Sequence, residues 1–211
     1  MRLATPHHLL TLILAAPLAL AAEPLGVVVS VLPVATIVER VGGDQVSVHT
    51  MVRPGQSPHS YEPTPRQVAA LDQAELYVRV GLAFEDAWMG RFAAANPRMR
   101  ILDARDGLDL LPMTPHDHGR YAPGPGHGGT HDHGPDAGDA LDPHVWTSPP
   151  LVKQMSLRIR DALSEIDPGH REAYARNQAA LATELDALDG EIRARLKGMA
   201  NRRFLVFHPA W

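Results

Sequence analysis

Residues 26–52 read GVVVSVLPVATIVERVGGDQVSVHTMV and contain a complete strand–helix–strand unit. The valine-rich run from Gly26 to Leu32 predicts a short buried strand. Val34 to Val41 predicts a helix, which ends at two glycines that suit a helix C-terminus. From Gln45 to Val52 apolar residues recur at every second position, which predicts a second strand.

The same alternation continues after this unit. The loop Arg53–Pro63 leads into a helix that begins with a capping box at Thr64 and runs to about Ala74. A strand over Leu76–Val80, a helix over Phe84–Ala94 and a short strand over Met99–Leu102 follow. Strands that alternate with helices predict the α/β class, with a parallel sheet flanked by helices.

Two further helices are predicted in the C-terminal third. One begins at Ser148, and the second begins at Asp167 and extends to about Ala200, roughly 45 Å at the helical rise per residue. That length indicates a long linking helix between two lobes, and Phe204–Phe207 then begins a strand. The predicted organisation is a signal peptide (1–22), an α/β metal-binding lobe (23–166), the linking helix (167–200) and the start of a second lobe (201–211). We expect that this second lobe is truncated in the chain.

The N-terminus and the composition indicate the compartment. Arg2 is followed by an apolar run from Leu9 to Leu20 and by the small-residue pattern Ala19-Leu20-Ala21, as in a secretory signal peptide. The chain has no cysteine, which excludes disulfides and thiolate metal ligands. From the same absence we expect no lipid anchor and a protein that is free in the periplasm. The net charge of −4 gives no indication of nucleic-acid binding.

Three histidines lie next to prolines and are the candidate metal ligands. His59 lies in PGQSPHSYEP (54–63), His144 in DPHVW (142–146) and His208 in HPAW (208–211). Imidazole is the commonest protein ligand of transition metals. Three imidazoles leave one position of a tetrahedral zinc ion open. Asp142 and Glu62 are candidates for hydrogen-bonding partners that orient the rings.

The segment 114–142 has a different composition from the rest of the chain. It contains five histidines and five aspartates among many glycines and prolines, so it lacks the apolar residues that form a core. Its histidines are candidate low-affinity metal ligands, although the segment also fits a low-complexity linker; they are His116, His118, His127, His131 and His133. His49 and His170, outside this segment, are interpreted as structural or solvated.

The motifs together resemble the zinc/manganese class of ABC-transporter substrate-binding proteins, of the ZnuA and TroA type. The most specific are Pro54-Gly55-x-x-Pro58-His59-x-Tyr61, Asp142-Pro143-His144-Val145-Trp146 and Phe207-His208-Pro209-Ala210; weaker ones are Gly81-Leu82-x-Phe84-Glu85 and Ile101-Leu102-Asp103. The resemblance implies a two-lobed periplasmic-binding-protein fold with a helical backbone and one metal ion between the lobes. His59, His144 and His208 match the family's three histidine ligands, and the fourth ligand is a carboxylate from the second lobe or a water.

The resemblance also implies a cargo and partners. The histidine-rich insert is similar to that of zinc members, and imidazole ligands favour Zn²⁺ over Mn²⁺. The expected partners are an inner-membrane ABC permease and its ATPase, the protein itself being a monomer and not an enzyme. Three alternatives remain: a manganese or iron protein of the same family, a zinc buffer or chaperone without a transporter, and a metallohydrolase that uses His59 and Glu62.

Overall fold

The computed structural model describes residues 23–112 and 141–201. Its centre is a four-stranded parallel sheet with the strand order β2-β1-β3-β4. The strands are β1 (Leu25–Val29), β2 (Val46–Thr50), β3 (Leu76–Arg79) and β4 (Arg100–Asp103). The predicted α/β class with a parallel sheet is therefore confirmed.

Five α-helices accompany the strands in the described residues. They are α1 (Leu32–Gly42), α2 (Pro65–Ala70), α3 (Ala83–Ala95), α4 (Pro149–Ile166) and α5 (Arg171–Leu196). The first strand ends three residues earlier than the apolar run suggests, because α1 already begins at Leu32 with a proline in its first turn. With 26 residues, α5 is about 39 Å long.

The order of the strands determines where the two faces and the ligand-binding edge lie. The chain moves from β1 outward to β2 and then back across β1 to β3. Because such crossovers are right-handed, α1 lies on one face of the sheet and α2 and α3 lie on the other. In agreement, α1 packs against α4 and α5, whereas α2 packs against α3. Ligands of parallel α/β sheets bind at the carboxyl ends of the strands, near such a reversal.

The helix α4 contributes a continuous apolar face to the core. Met155, Ile159 and Leu163 are fully buried, as its apolar periodicity predicts. The helix α5 runs antiparallel to α4, since Gln178 of α5 hydrogen-bonds to Ser156 and Asp186 pairs with Lys153.

The second half of α5 is much more exposed than the first. Leu181 is buried, but Leu188 and Leu196 are 45% and 52% exposed. The apolar stripe of α5 therefore continues beyond the helices that cover its first half. Within residues 23–112 and 141–201, no helix combines the length and the apolar character that a membrane crossing requires.

Candidate metal centre

His59 lies in the long connection between β2 and α2. A turn with Gly55 at φ +86° is followed by a single 3₁₀ turn, Pro58–Ser60, which carries the histidine. The hydroxyl of Ser57 accepts a hydrogen bond from the backbone N–H of His59, at 3.3 Å. Glycine suits the positive φ, and the cap fixes the start of the turn. His59 is exposed at the carboxyl edge of the sheet.

Tyr61 anchors the His59 turn to the core. Its side chain is buried and its ring meets the ring of Phe84 edge-on, with 4.9 Å between the centroids. Such edge-to-face contacts add to the free energy gained by burial. Burial also raises the pKa of Tyr61, so its phenol stays neutral.

A buried carboxylate shapes the connection that presents Phe84. Glu85 is fully buried, and its side chain accepts hydrogen bonds from the backbone N–H groups of Val80, Gly81 and Leu82. Three such donors compensate for the desolvation of the charge. The sequence motif around Gly81 and Glu85 is thus explained by the geometry of the β3–α3 connection, which supports the His59 turn through Phe84.

His144 is held more firmly than His59. The residue is 7% exposed and directly precedes a 3₁₀ turn, Val145–Thr147, that leads into α4. One oxygen of Asp142 lies 2.6 Å from the ring Nδ1 of His144 and also accepts a hydrogen bond from the His144 backbone N–H, at 2.9 Å. A carboxylate at Nδ1 favours the tautomer in which Nε2 carries the free lone pair. The candidate partner Asp142 is therefore positioned to orient this ring.

The aromatic neighbour of His144 fixes it from another side. Trp146 meets the imidazole edge-on at 5.3 Å between centroids and packs against the core. The hydroxyl of Thr147 donates to the carbonyl of His144, at 2.8 Å. The ring of His144 therefore has little freedom to turn.

The fold brings His59 and His144 together although 85 positions separate them in the sequence. Their ring centroids are 6.2 Å apart, with an interplanar angle of 49°. Two imidazoles on one tetrahedral zinc ion have centroids about 5.2 Å apart, given a Zn–N distance of roughly 2.1 Å. The pair is thus about 1 Å wider than a shared zinc ion requires.

The remaining candidate ligands lie outside the described residues. These are His208 and the insert histidines His116, His118, His127, His131 and His133. Among the residues that the structure describes, no three histidine, aspartate or glutamate side chains are grouped closely enough to hold a metal ion. Glu62 is exposed, and its role as an orienting partner stays a prediction.

The fold brings two proline-flanked histidines together at the carboxyl edge of a parallel sheet, and imidazole is the side chain that most often binds transition metals. The family comparison makes the class more specific, because residues 27–211 match the model for ZnuA, described as zinc-uptake complex component A, periplasmic. The chain belongs to this family, whose members are metal-binding substrate-binding components of ABC transporters.

Individual relatives support the same assignment. The chain is 28% identical over 190 residues to the zinc-binding lipoprotein AdcA of Streptococcus pneumoniae, covering 89% of this chain and 36% of AdcA. It is 32% identical over 171 residues to the iron-binding protein YfeA of Yersinia pestis, covering 81% of this chain and 49% of YfeA. A crystal structure of a zinc-bound ZnuA deletion mutant superimposes with a TM-score of 0.76 at 36% identity, covering 90% of this chain and 65% of the ZnuA chain. The chain thus spans between about a third and two thirds of these relatives.

The relatives correct one sequence-based expectation and leave another open. AdcA, the manganese-binding MntA of Halalkalibacterium halodurans and ScbA of Streptococcus cristatus are all named lipoproteins. The expectation of a free periplasmic protein without a lipid anchor is therefore wrong. It was inferred from the absence of cysteine in a chain that spans only part of its relatives. The names also include zinc, manganese and iron, so they establish metal binding without selecting one metal.

Proposed function

We propose that this protein is the zinc-binding substrate-binding component of an ABC importer, which captures Zn²⁺ and delivers it to a membrane permease and its ATPase. The observation that carries the proposal is the convergence of His59 and His144, with Asp142 at the Nδ1 atom of His144. His208 is proposed as the third ligand from its place in the sequence motif. The zinc-bound ZnuA structure that superimposes on this chain supports the same cargo.

The chemistry of the ligands favours zinc over manganese. Nitrogen ligands suit zinc, whereas manganese prefers oxygen ligands. His59 and His144, which meet at the edge of the sheet, are both imidazoles, and the carboxylate of Asp142 is engaged with His144. A manganese or iron cargo remains the alternative, because relatives that bind these metals match the chain comparably well.

The test is a competitive zinc titration against a chelator of known affinity. The titration uses a variant from which residues 114–140 are deleted, so that the insert histidines are absent while Asp142 is retained. We expect one tight site per chain, which is lost in His59→Ala and in His144→Ala. His170→Ala is the matched control, because His170 lies at the turn between α4 and α5 and is paired with Asp167.

Three results would contradict the proposal in different ways. A tight site that survives both histidine substitutions would refute the ligand assignment. Several weak sites that disappear with the insert would indicate a zinc buffer instead. Tighter binding of Mn²⁺ or Fe²⁺ than of Zn²⁺ in the same competition would identify another cargo for the same site.

A further inference from the structure

A groove separate from the two histidines lies between the end of β2 and the helix α2. Its volume is about 550 Å³, and its walls include His49, Arg53 and Arg66. Among residues 23–112 and 141–201, no acidic side chain lines it. The groove therefore concentrates positive charge on a protein whose net charge is −4.

The two arginines of the groove differ from most other arginines of the protein. Neither Arg53 nor Arg66 takes part in an ion pair within residues 23–112 and 141–201. The paired arginines in the same part of the chain are Arg40, Arg79, Arg100, Arg105, Arg160, Arg176, Arg193 and Arg195. A groove with two arginines that no carboxylate in the described part of the chain neutralises is an electrostatic site for an anion.

The walls of the groove are fixed by hydrogen bonds that do not use the guanidinium groups. Gln67 donates from Nε2 to the carbonyl of Met51 at 2.9 Å and accepts at Oε1 from the backbone N–H of Thr64 at 3.1 Å. The backbone N–H of Arg53 donates to the side chain of Gln56 at 2.9 Å. The groove is thus preformed, and the arginine head groups are not needed to build it.

We propose that this groove binds a small molecule through a phosphate or carboxylate group. The guanidinium is a planar donor that binds either oxyanion through two parallel hydrogen bonds. Arg53 and Arg66 supply this recognition from the two ends of the loop that carries His59, and His49 adds a ring N–H from β2. A bound oxyanion would therefore hold the two ends of this loop together. None of the residues that line the groove is one of the proposed metal ligands.

The experiment is a titration of the metal-free full chain with inorganic phosphate and, separately, with malonate, followed by NMR at constant ionic strength. The signals of the arginine Nε–H groups and of the backbone near residues 49–67 report binding. We expect saturable shifts for at least one of the two anions. Saturation by phosphate alone identifies a phosphate-bearing ligand, and saturation by malonate alone identifies a carboxylate-bearing one. Chloride at the same ionic strength should leave the signals unchanged.

Variants test the proposed residues. Arg53→Gln and Arg66→Gln should each weaken binding about tenfold, as expected when one charge-assisted contact is lost. Arg66→Lys keeps the charge and tests the need for the planar group. Arg98→Gln is the matched control, because Arg98 is exposed and precedes β4, away from the groove. The proposal would be overturned if the NMR shifts never saturated. It would also be overturned if Arg53→Gln and Arg98→Gln changed the affinity equally.

Discussion

Removing the carboxylate behind His144 should weaken zinc binding without removing a ligand. Asp142 contacts the Nδ1 atom of His144 at 2.6 Å and the His144 backbone N–H at 2.9 Å. A hydrogen bond to a charged group contributes about 1.5–3 kcal/mol. At 1.4 kcal/mol per factor of ten, that corresponds to a loss of roughly 10- to 150-fold in affinity.

Two substitutions of Asp142 should weaken zinc binding by different amounts. Asp142→Asn keeps an oxygen that can accept from Nδ1 but removes the charge, so we expect about a tenfold loss, at the lower end of the range for such outer partners. Asp142→Ala also removes the acceptor, and we expect a loss near 100-fold. His144→Ala should abolish the tight site altogether. The affinity is measured by competition with a chelator.

Asp44→Asn is the control for the change in net charge, since Asp44 is exposed in the turn after α1. Denaturant unfolding of each variant separates a loss of affinity from a loss of folded protein. The reasoning would be refuted if both Asp142 variants bound zinc as tightly as the unsubstituted protein while His144→Ala did not. His144 would then bind the ion without help from Asp142.

Three further predictions concern the fold. Ile159→Ala should reduce the free energy of unfolding by about 2–5 kcal/mol because the side chain is fully buried, whereas Leu196→Ala, at an exposed site, should change it by less than about 0.5 kcal/mol. Gly81→Ala should reduce the free energy of unfolding by about 1–3 kcal/mol, because φ is +74° and a Cβ would overlap the guanidinium of Arg105. Adding Arg105→Ala to this variant should restore only the part of the loss that is due to the overlap. Burial alone would raise the pKa of Asp103, but Arg105 outweighs it and lowers that pKa. The contribution of ionised Asp103 to stability is therefore complete above the pKa of an unfolded aspartate, about 3.9, and is lost as the pH falls through the lower pKa of the folded state. Asp103→Asn should therefore lose less stability in acid than the unsubstituted protein. Urea unfolding measures all three effects, and equal acid profiles for Asp103→Asn and the unsubstituted protein would contradict the last.

The sequence predicts the elements of this fold well because their signals are local. Alternating or continuous apolar runs identify the four strands, and a capping box at Thr64 marks the start of α2. Boundaries are less well predicted, since the apolar run at β1 continues through Leu32 and does not show where the strand becomes a helix. The burial of α4 follows from its periodicity, whereas α5 has the same kind of stripe and is buried only in its first half. A periodic pattern identifies the apolar face and does not tell what covers it.

The site was only partly predictable for a similar reason. Proline-flanked histidines draw attention to His59 and His144, and Asp142 lies close enough in sequence to suggest its contact with His144. The support of the His59 turn by Tyr61 on Phe84 joins residues 23 positions apart and has no signal in a single sequence. The basic groove was missed because His49 was interpreted by itself, and its arginines belong to two different elements.

The two histidines also differ in how firmly the fold holds them, and this difference predicts which of the two proposed ligands moves when an ion binds. His144 is buried and fixed by Asp142 and Trp146, so its ring has little freedom to move. His59 is exposed on a single 3₁₀ turn that is anchored through its neighbour Tyr61. Because the rings stand about 1 Å wider than a shared zinc ion requires, we expect zinc binding to draw the turn of His59 toward His144. The proposed zinc site would therefore combine a fixed imidazole, that of His144, with an adjustable one, that of His59.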